Sequence, residues 1–353
     1  MKIFVTGSTG YIGQKLALAA AEKGWTVHAL VRNLNSKFIP VHPNIILFKG
    51  DIKNKMSIEK AMKGCVYVFH TAAFTKEGDD QNPEFEKVNV QGTQNVLHVA
   101  LSEKIQRFVF TGSCSVYGPS DQWPISEENE DKIKPTTSYA LSKYKAEKLV
   151  KEFTKKGLWS VIVFPTRIYG PGNFTEGNPI TRLINNISKN KISFFPYSPG
   201  IKGNYAFVDD VVNGHFLALE KGFSGEKYFL GGEHLTYKKF FTEIRRLSAS
   251  KTILIPVPKW ILKLFVRIYY MFLRFLGKKP RVSPKHIDRI WENRLFSNQK
   301  AKDCLGFTTT SFEIGIQKTV SFLKSKNDNT DNRFQRIPEK IKNHIKSLLN
   351  FIL

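Results

Sequence analysis

Thr6-Gly7-Ser8-Thr9-Gly10-Tyr11-Ile12-Gly13 stands between a short apolar run, Lys2–Thr6, and a segment with helical apolar spacing, Tyr11–Lys23. Glycines at these three positions permit a tight turn, a close backbone approach to a pyrophosphate, and close packing of helix on strand. The helix that follows offers free N–H groups and the positive end of its dipole to the phosphates. Three glycines alone also make an ordinary turn. A strand before and a helix after give the phosphate reading its weight. Gly7, Thr9, Gly10, Tyr11, Ile12 and Gly13 are therefore candidate contacts for a dinucleotide.

Outward from this loop, β-rich runs alternate with helical patterns, the mark of a parallel α/β sheet. Strands are predicted at Thr26–Val31, Ile45–Phe48, Val66–Phe69, Phe108–Thr111 and Ser160–Phe164, with helices at Phe85–Leu101 and Ser138–Lys155. Beyond Pro165 the rhythm breaks, then a returning strand is predicted at Tyr205–Val208 and a helix at Asp209–Lys221. The expected organisation is a doubly wound domain over 1–165 and a smaller, helix-rich substrate lobe over 166–326, whose segment 204–221 packs back on the first sheet. A linker and amphipathic tail fill 327–353.

The second strand ends in Arg32-Asn33, where a site for NAD usually carries an acidic residue on the ribose hydroxyls. An arginine there pairs with a 2′-phosphate, which favours NADP over NAD; a plain surface arginine is the alternative. Asp51 and Ile52 follow the third strand. The aspartate suits either the adenine amino group or a helix N-cap.

Tyr139 and Lys143 lie four apart on one predicted helix face. A phenol ionises near pH 10, too reluctantly for a base at neutrality, and a neighbouring ammonium lowers that value. Upstream, Thr111-Gly112-Ser113-Cys114-Ser115 follows the fifth strand. Hydroxyls there stand at the carboxyl edge of the sheet, where such sheets bind ligands, and suit polarising a carbonyl.

Taken in order, these motifs resemble the extended or atypical short-chain dehydrogenases/reductases of the NAD-dependent epimerase/dehydratase family. The match adds Phe69-His70-Thr71-Ala72-Ala73, Asn89-Val90-Gln91-Gly92-Thr93, Tyr117-Gly118, Pro165…Tyr169-Gly170-Pro171-Gly172, Phe207–Val211 and Ala301…Phe307, covering about residues 1–325. The resemblance implies a Rossmann-type fold and hydride transfer to or from a nicotinamide. It implies Ser113 as the catalytic serine, with Ser115 as fallback, Tyr139 as general acid/base, and Lys143 as ribose ligand and tyrosine activator. It also places Thr71, Ala72 and Ala73 along the cofactor and Pro165 and Arg167 near the nicotinamide. Asn89 joins the cofactor set, more as a tie between elements than as a proton carrier.

For substrate, Val27–Arg32 resembles dihydroflavonol-reductase-like and 3β-hydroxysteroid-dehydrogenase-like members, which act on apolar alcohols or ketones. Asn89–Thr93 and Tyr169–Gly172 also suit nucleotide-sugar epimerases or dehydratases, in which Lys202 or Arg182 would have to meet the diphosphate. The apolar reading is preferred. A catalytically silent NADP sensor is a third class, disfavoured because Ser113, Tyr139 and Lys143 are all present.

The 353 residues carry 54 Lys and Arg against 30 Asp and Glu, a formal charge of +24. Such a balance draws anionic partners, but without an aromatic-interleaved basic patch it does not point to nucleic acid. Three scattered cysteines suggest no metal site and fit a reducing, cytoplasmic setting. Residues 259–276 carry Lys259, Lys263, Arg267 and Arg274 in one arc of a helix that is otherwise apolar. Four charges argue against a spanning helix. Two readings stay open: peripheral contact with the inner face of a membrane, or packing on the substrate lobe. The tail 341–353, with Ile341, Ile345, Leu348, Leu349 and Ile352 at helical spacing, is a second candidate contact. A homodimer is compatible with all of this.

Overall fold

A computed structural model describes residues 1–75, 82–121, 123–189, 192–275, 277 and 288–328. The first half alternates as expected: β1 (Lys2–Thr6), α1 (Tyr11–Glu22), β2 (Thr26–Val31), β3 (Ile45–Lys49), α2 (Lys55–Met62), β4 (Tyr67–His70), α3 (Thr93–Ser102), β5 (Arg107–Thr111), α4 (Ser138–Lys155) and β6 (Ser160–Pro165). These strands are short, almost continuously apolar runs because both faces of the sheet are covered. Phe4, Phe108, Phe110 and Phe164 pack into the core on one face, Ile3, Val5, Val109 and Val163 into that on the other.

The chain continues through β7 (Arg167–Tyr169), α5 (Pro179–Ser188), β8 (Ile192–Pro196), β9 (Lys202–Phe207), α6 (Val208–Lys221), β10 (Lys227–Leu230), β11 (Glu233–Thr236), α7 (Tyr237–Leu247), β12 (Ile253–Val257), α8 (Lys259–Phe275), α9 (Gln299–Leu305) and α10 (Phe312–Asp328). The central sheet is parallel throughout, in the order β10-β6-β5-β4-β1-β2-β3. That is the Rossmann order with a seventh strand added beside β6.

The returning segment divides differently from the expectation. Helix α6 does pack on the sheet through Val211, Val212, Phe216 and Leu219. Strand β9 does not join that sheet, however; it pairs with β7 and β11 in a separate three-stranded sheet. The strand that returns to the main sheet is β10, whose Tyr228 and Leu230 align with Val163 and Pro165 of β6. The second lobe is helix-rich, yet it also holds the β8–β12 pair and has its own core, including Leu183, Ile184, Phe240, Phe241 and Ile316.

The single helix expected over Phe85–Leu101 is two pieces: a wide π-helical stretch, Phe85–Gly92, followed by α3. Such widening is frequent at functional sites because it redirects a side chain. Here it carries Asn89. The predicted linker from Asn327 overlaps the end of α10, and the tail 341–353 lies outside the described residues.

Candidate active site

The loop between β1 and α1 is shaped by two local constraints. Gly7 has φ of +69°, and a Cβ on it would lie 2.7 Å from Thr71 Oγ1 and 2.8 Å from the Ala72 nitrogen. A Cβ on Gly13 would collide with the Gly7 carbonyl. Any side chain at either place would push the turn away from the helix. Gly10 occupies the N-cap of α1 without a side-chain cap, and the first turn holds no acidic residue. Its N–H groups and dipole are thus left for an anionic ligand. The residues present fit a dinucleotide pyrophosphate.

A cavity of about 890 Å³ opens from this loop across the carboxyl edge of the sheet. At the loop end its walls include Gly7, Thr9, Gly10, Tyr11, Ile12 and Gly13, with Arg32, Asp51 and Ile52. Thr71, Ala72 and Ala73 continue the wall from the end of β4, and Ser113, Tyr139, Lys143 and Pro165 line its middle. Arg167 faces the second lobe. Every residue singled out for catalysis or for the cofactor lines this one space except Asn89; of the two basic residues offered for a diphosphate, Arg182 lines it and Lys202 does not.

Asn89 is buried and turned into the protein. Its Oδ1 accepts from the Phe74 nitrogen at 2.6 Å, while Nδ2 donates to the Phe74 carbonyl and to Ser142 Oγ. It therefore clamps the loop after β4 to α4, and does not reach the cavity wall. Asp51 does not cap α2 either; Asn54 does, accepting from the Ser57 nitrogen, while Asp51 accepts from the Lys53 nitrogen at 2.9 Å. Arg32 is exposed at the end of β2.

Helix α4 starts where Thr137 caps it, its hydroxyl accepting from the Ala140 nitrogen at 3.1 Å. That start puts Tyr139 in the first turn, half-buried, its ring centroid 6.4 Å from that of Phe85. Lys143 follows one turn later and is only 4% exposed. Its Nζ donates to the Thr111 carbonyl at 2.7 Å and stands 4.2 Å above the Phe110 ring. Burial pushes its pKa down to about 7, with the carboxylate of Glu147, a turn further on, opposing the shift. An amine poised near neutrality can hold or release a proton beside a phenol. Ser113 Oγ and Ser115 Oγ lie 2.8 Å apart across the turn after β5, so both hydroxyls named from the sequence stand at the same place.

His70 was legible only as part of a motif, and Arg289 and Arg294 carried no functional signal in the sequence. His70 bridges Thr6 Oγ1 at 2.6 Å and Thr93 Oγ1 at 2.9 Å. Thr93 donates onward to the Asn89 carbonyl. Full burial, and secondarily the charge of Lys143, push the pKa of His70 down to about 3. It is a neutral structural bridge beneath the cofactor loop. At the far end, Arg167 donates to the hydroxyls of Tyr205 (3.3 Å) and Tyr237 (3.2 Å). Arg182, Arg289 and Arg294 line that end too. Arg289 and Arg294 come from a segment more than a hundred residues after β6, so only folding shows their convergence.

The description "NAD dependent epimerase/dehydratase family" matches residues 3–231. Over 331 residues the chain is 26% identical to sterol demethylase protein B of Methylococcus capsulatus, covering 92% of this chain and 99% of that protein. It is 28% identical to a 3-beta-hydroxysteroid dehydrogenase of Mycolicibacterium neoaurum, covering 87% and 86% of the two. The UDP-glucose 4-epimerase of Thermus thermophilus, solved in complex with NAD, superposes with a TM-score of 0.73 at 22% identity, over 92% of this chain and 99% of that one. At that identity the likeness is one of fold. With the cavity and the motif order, the family match leads to one conclusion: this chain belongs to the NAD-dependent epimerase/dehydratase family and is an NAD-type oxidoreductase or epimerase of the short-chain dehydrogenase kind.

Proposed function

We propose that the enzyme interconverts a secondary alcohol and a ketone on a largely apolar molecule, with Tyr139 carrying the proton. A nicotinamide held by the glycine loop and Lys143 would supply the hydride chemistry. In the oxidation direction the substrate hydroxyl gives its proton to the Tyr139 oxygen, Lys143 favours the phenolate, and Ser113 or Ser115 holds the substrate oxygen. The observation that carries this reading is the sharing of one cavity by the glycine loop, Ser113, Tyr139 and a buried Lys143. Phe74, Phe174, Ile180 and Ile290 in the wall beyond supply an apolar surround. Arg32 at the end of β2 favours NADP over NAD. The setting is the reducing cytoplasm, with a peripheral membrane contact through 259–276.

One observation favours a second reading. Arg167, Arg182, Arg289 and Arg294 all line the cavity; Arg294 pairs with Glu292 at 2.7 Å, which leaves the other three against Glu176 in the same wall. That surplus suits a substrate with an anionic group, such as a sugar nucleotide. Incubating the purified enzyme with NAD or NADP and either a 3β-hydroxysteroid or UDP-glucose separates the two. Net reduction of the cofactor by the steroid supports the first reading; sugar epimerisation without net cofactor change, and no steroid oxidation, overturns it.

A further inference from the structure

Helix α8 divides into three arcs at about 100° per residue. Leu262 and Val266 are buried, and Phe265 and Tyr269 pack beside them, against the core that also contains Tyr205 and Tyr237 of the cavity wall. Lys259, Lys263, Arg267 and Arg274 form the second arc. The third is apolar and bare: Trp260, Leu264, Ile268, Met271 and Phe275 are 52–88% exposed and follow one another at spacings of three or four. Ile261 and Phe272, also exposed, widen this stripe, which runs ~22 Å along the helix. No acidic residue occurs from Lys259 to Phe275. Among the described residues, no helix is long and apolar enough to cross a membrane.

We infer that α8 docks the enzyme on an anionic lipid surface, with its bare stripe among the acyl chains and its cationic row at the head groups. Charge decides the occupant. A second copy would bring two such cationic rows together. The chain's own tail, 341–353, contributes Lys342 and Lys346 and no acid, so it offers nothing to Arg267 and Arg274, the two members of the row that Asp288 does not meet. A bilayer containing anionic lipid satisfies both arcs, since long basic side chains lie along an apolar surface while their heads reach the phosphates.

The docking has a consequence for the cleft. Lys259 and Lys263 both bond Asp288 Oδ1, at 3.0 and 2.7 Å. The next two residues, Arg289 and Ile290, line the far end of the cavity. A docked α8 therefore holds that end beside the membrane, so an apolar substrate reaches Tyr139 from the lipid phase. This route rests on the apolar-alcohol reading above; the docking itself does not.

Flotation of the full-length protein with phosphatidylcholine vesicles, and with the same vesicles containing phosphatidylglycerol, tests it without any turnover. Expected is recovery with the anionic vesicles, at least about tenfold above the neutral ones. Leu264→Glu with Ile268→Glu should abolish it, and Arg267→Glu with Arg274→Glu should remove the preference for anionic lipid. Cofactor titration of each variant, expected unchanged, shows that the fold is intact. Three outcomes overturn the inference: no flotation of the wild-type protein, flotation of the Leu264→Glu/Ile268→Glu variant equal to wild type (contact through the tail), or a solution dimer that this variant dissociates (a second copy on the stripe).

Discussion

Lys143 is bonded to the backbone of the strand that leads into Ser113: its ammonium donates to the Thr111 carbonyl at 2.7 Å, two residues before the serine. The Thr111 hydroxyl in turn contacts His215 Nε2 at 2.9 Å. The proposed acid/base helix and the proposed serine turn are thus pinned by one residue. A shift of α4 along its axis would break this bond before it altered the relation of Tyr139 to Ser113.

That arrangement has a cost in stability, and its sign follows from linkage. The folded chain holds Lys143 at a pKa of about 7, against 10.5 for a free lysine. Between these values the unfolded chain binds more protons, so stability rises with pH across that window and the penalty is complete below about pH 7. Lys143→Met is expected to raise the stability of the cofactor-free protein by about 1 to 3 kcal/mol at pH 6. The gain should fade as pH approaches 10.5, while turnover is lost. Urea unfolding at several pH values checks this; a Lys143→Met protein less stable at pH 6 would show that the Thr111 bond outweighs burial.

Tyr139 is expected to separate chemistry from binding. Tyr139→Phe removes one oxygen from a half-buried ring that packs near Phe85 and leaves Lys143 in place. Turnover should fall by about 10² to 10⁴, the range for a positioned acid or base, with the cofactor Kd changed less than about threefold. Rapid-mixing kinetics and fluorescence titration give the two numbers. Equal losses in both would make Tyr139 a binding residue.

How much of this was legible follows from what makes each element. Five of the first six strands are buried on both sides, so each writes itself as an apolar run between turn residues; β3, at the sheet edge, is apolar but only partly covered, and the glycine loop lies between β1 and α1. Strand β10 is only four residues long and is a strand because β6 offers it an edge, a fact absent from its own sequence. Asn89 was legible as a motif residue but not in its direction, which the π-helical widening sets. In α8 the basic arc is visible in the spacing. The division of the rest into a packed arc and a bare one depends on the lobe beneath it. Arg289 and Arg294 are isolated cations in the sequence and become wall residues only when the last segment folds across the cavity.

Arg32 tests the choice of nucleotide. It is exposed at the end of β2 and lines the loop end of the cavity, where a 2′-phosphate would be neutralised by a guanidinium. Arg32→Glu is expected to weaken NADP by at least about tenfold, or 1.4 kcal/mol, while NAD binding stays level or improves. Parallel titrations with the two cofactors read the difference. Equal weakening of both, or of neither, would remove Arg32 from nucleotide selection.

Two buried imidazoles set the acid limb of stability. Burial holds His70 near a pKa of about 3 and His215 near about 4, against 6.5 when free. Below pH 6.5 the unfolded chain takes up protons that the folded chain refuses, so folding loses free energy as pH falls from about 6.5 towards those lower values. Each ring is fully buried and held at both nitrogens, His70 by Thr6 and Thr93 and His215 by Thr111 and the Val211 carbonyl, so a charge on either would have to be desolvated completely. Thermal midpoints should climb gently above neutrality with the single Lys143 proton and drop more steeply below pH 6, where both imidazoles act. His70→Gln should be less stable than wild type at pH 7 by about 1 to 3 kcal/mol, through the weakened bridge. Its midpoint should nevertheless fall less between pH 6.5 and 4, because one of the proton-refusing imidazoles is gone. Parallel acid limbs in the two proteins would mean that His70 titrates normally in the folded chain, and that the link from Thr6 to Thr93 is not held by a neutral ring.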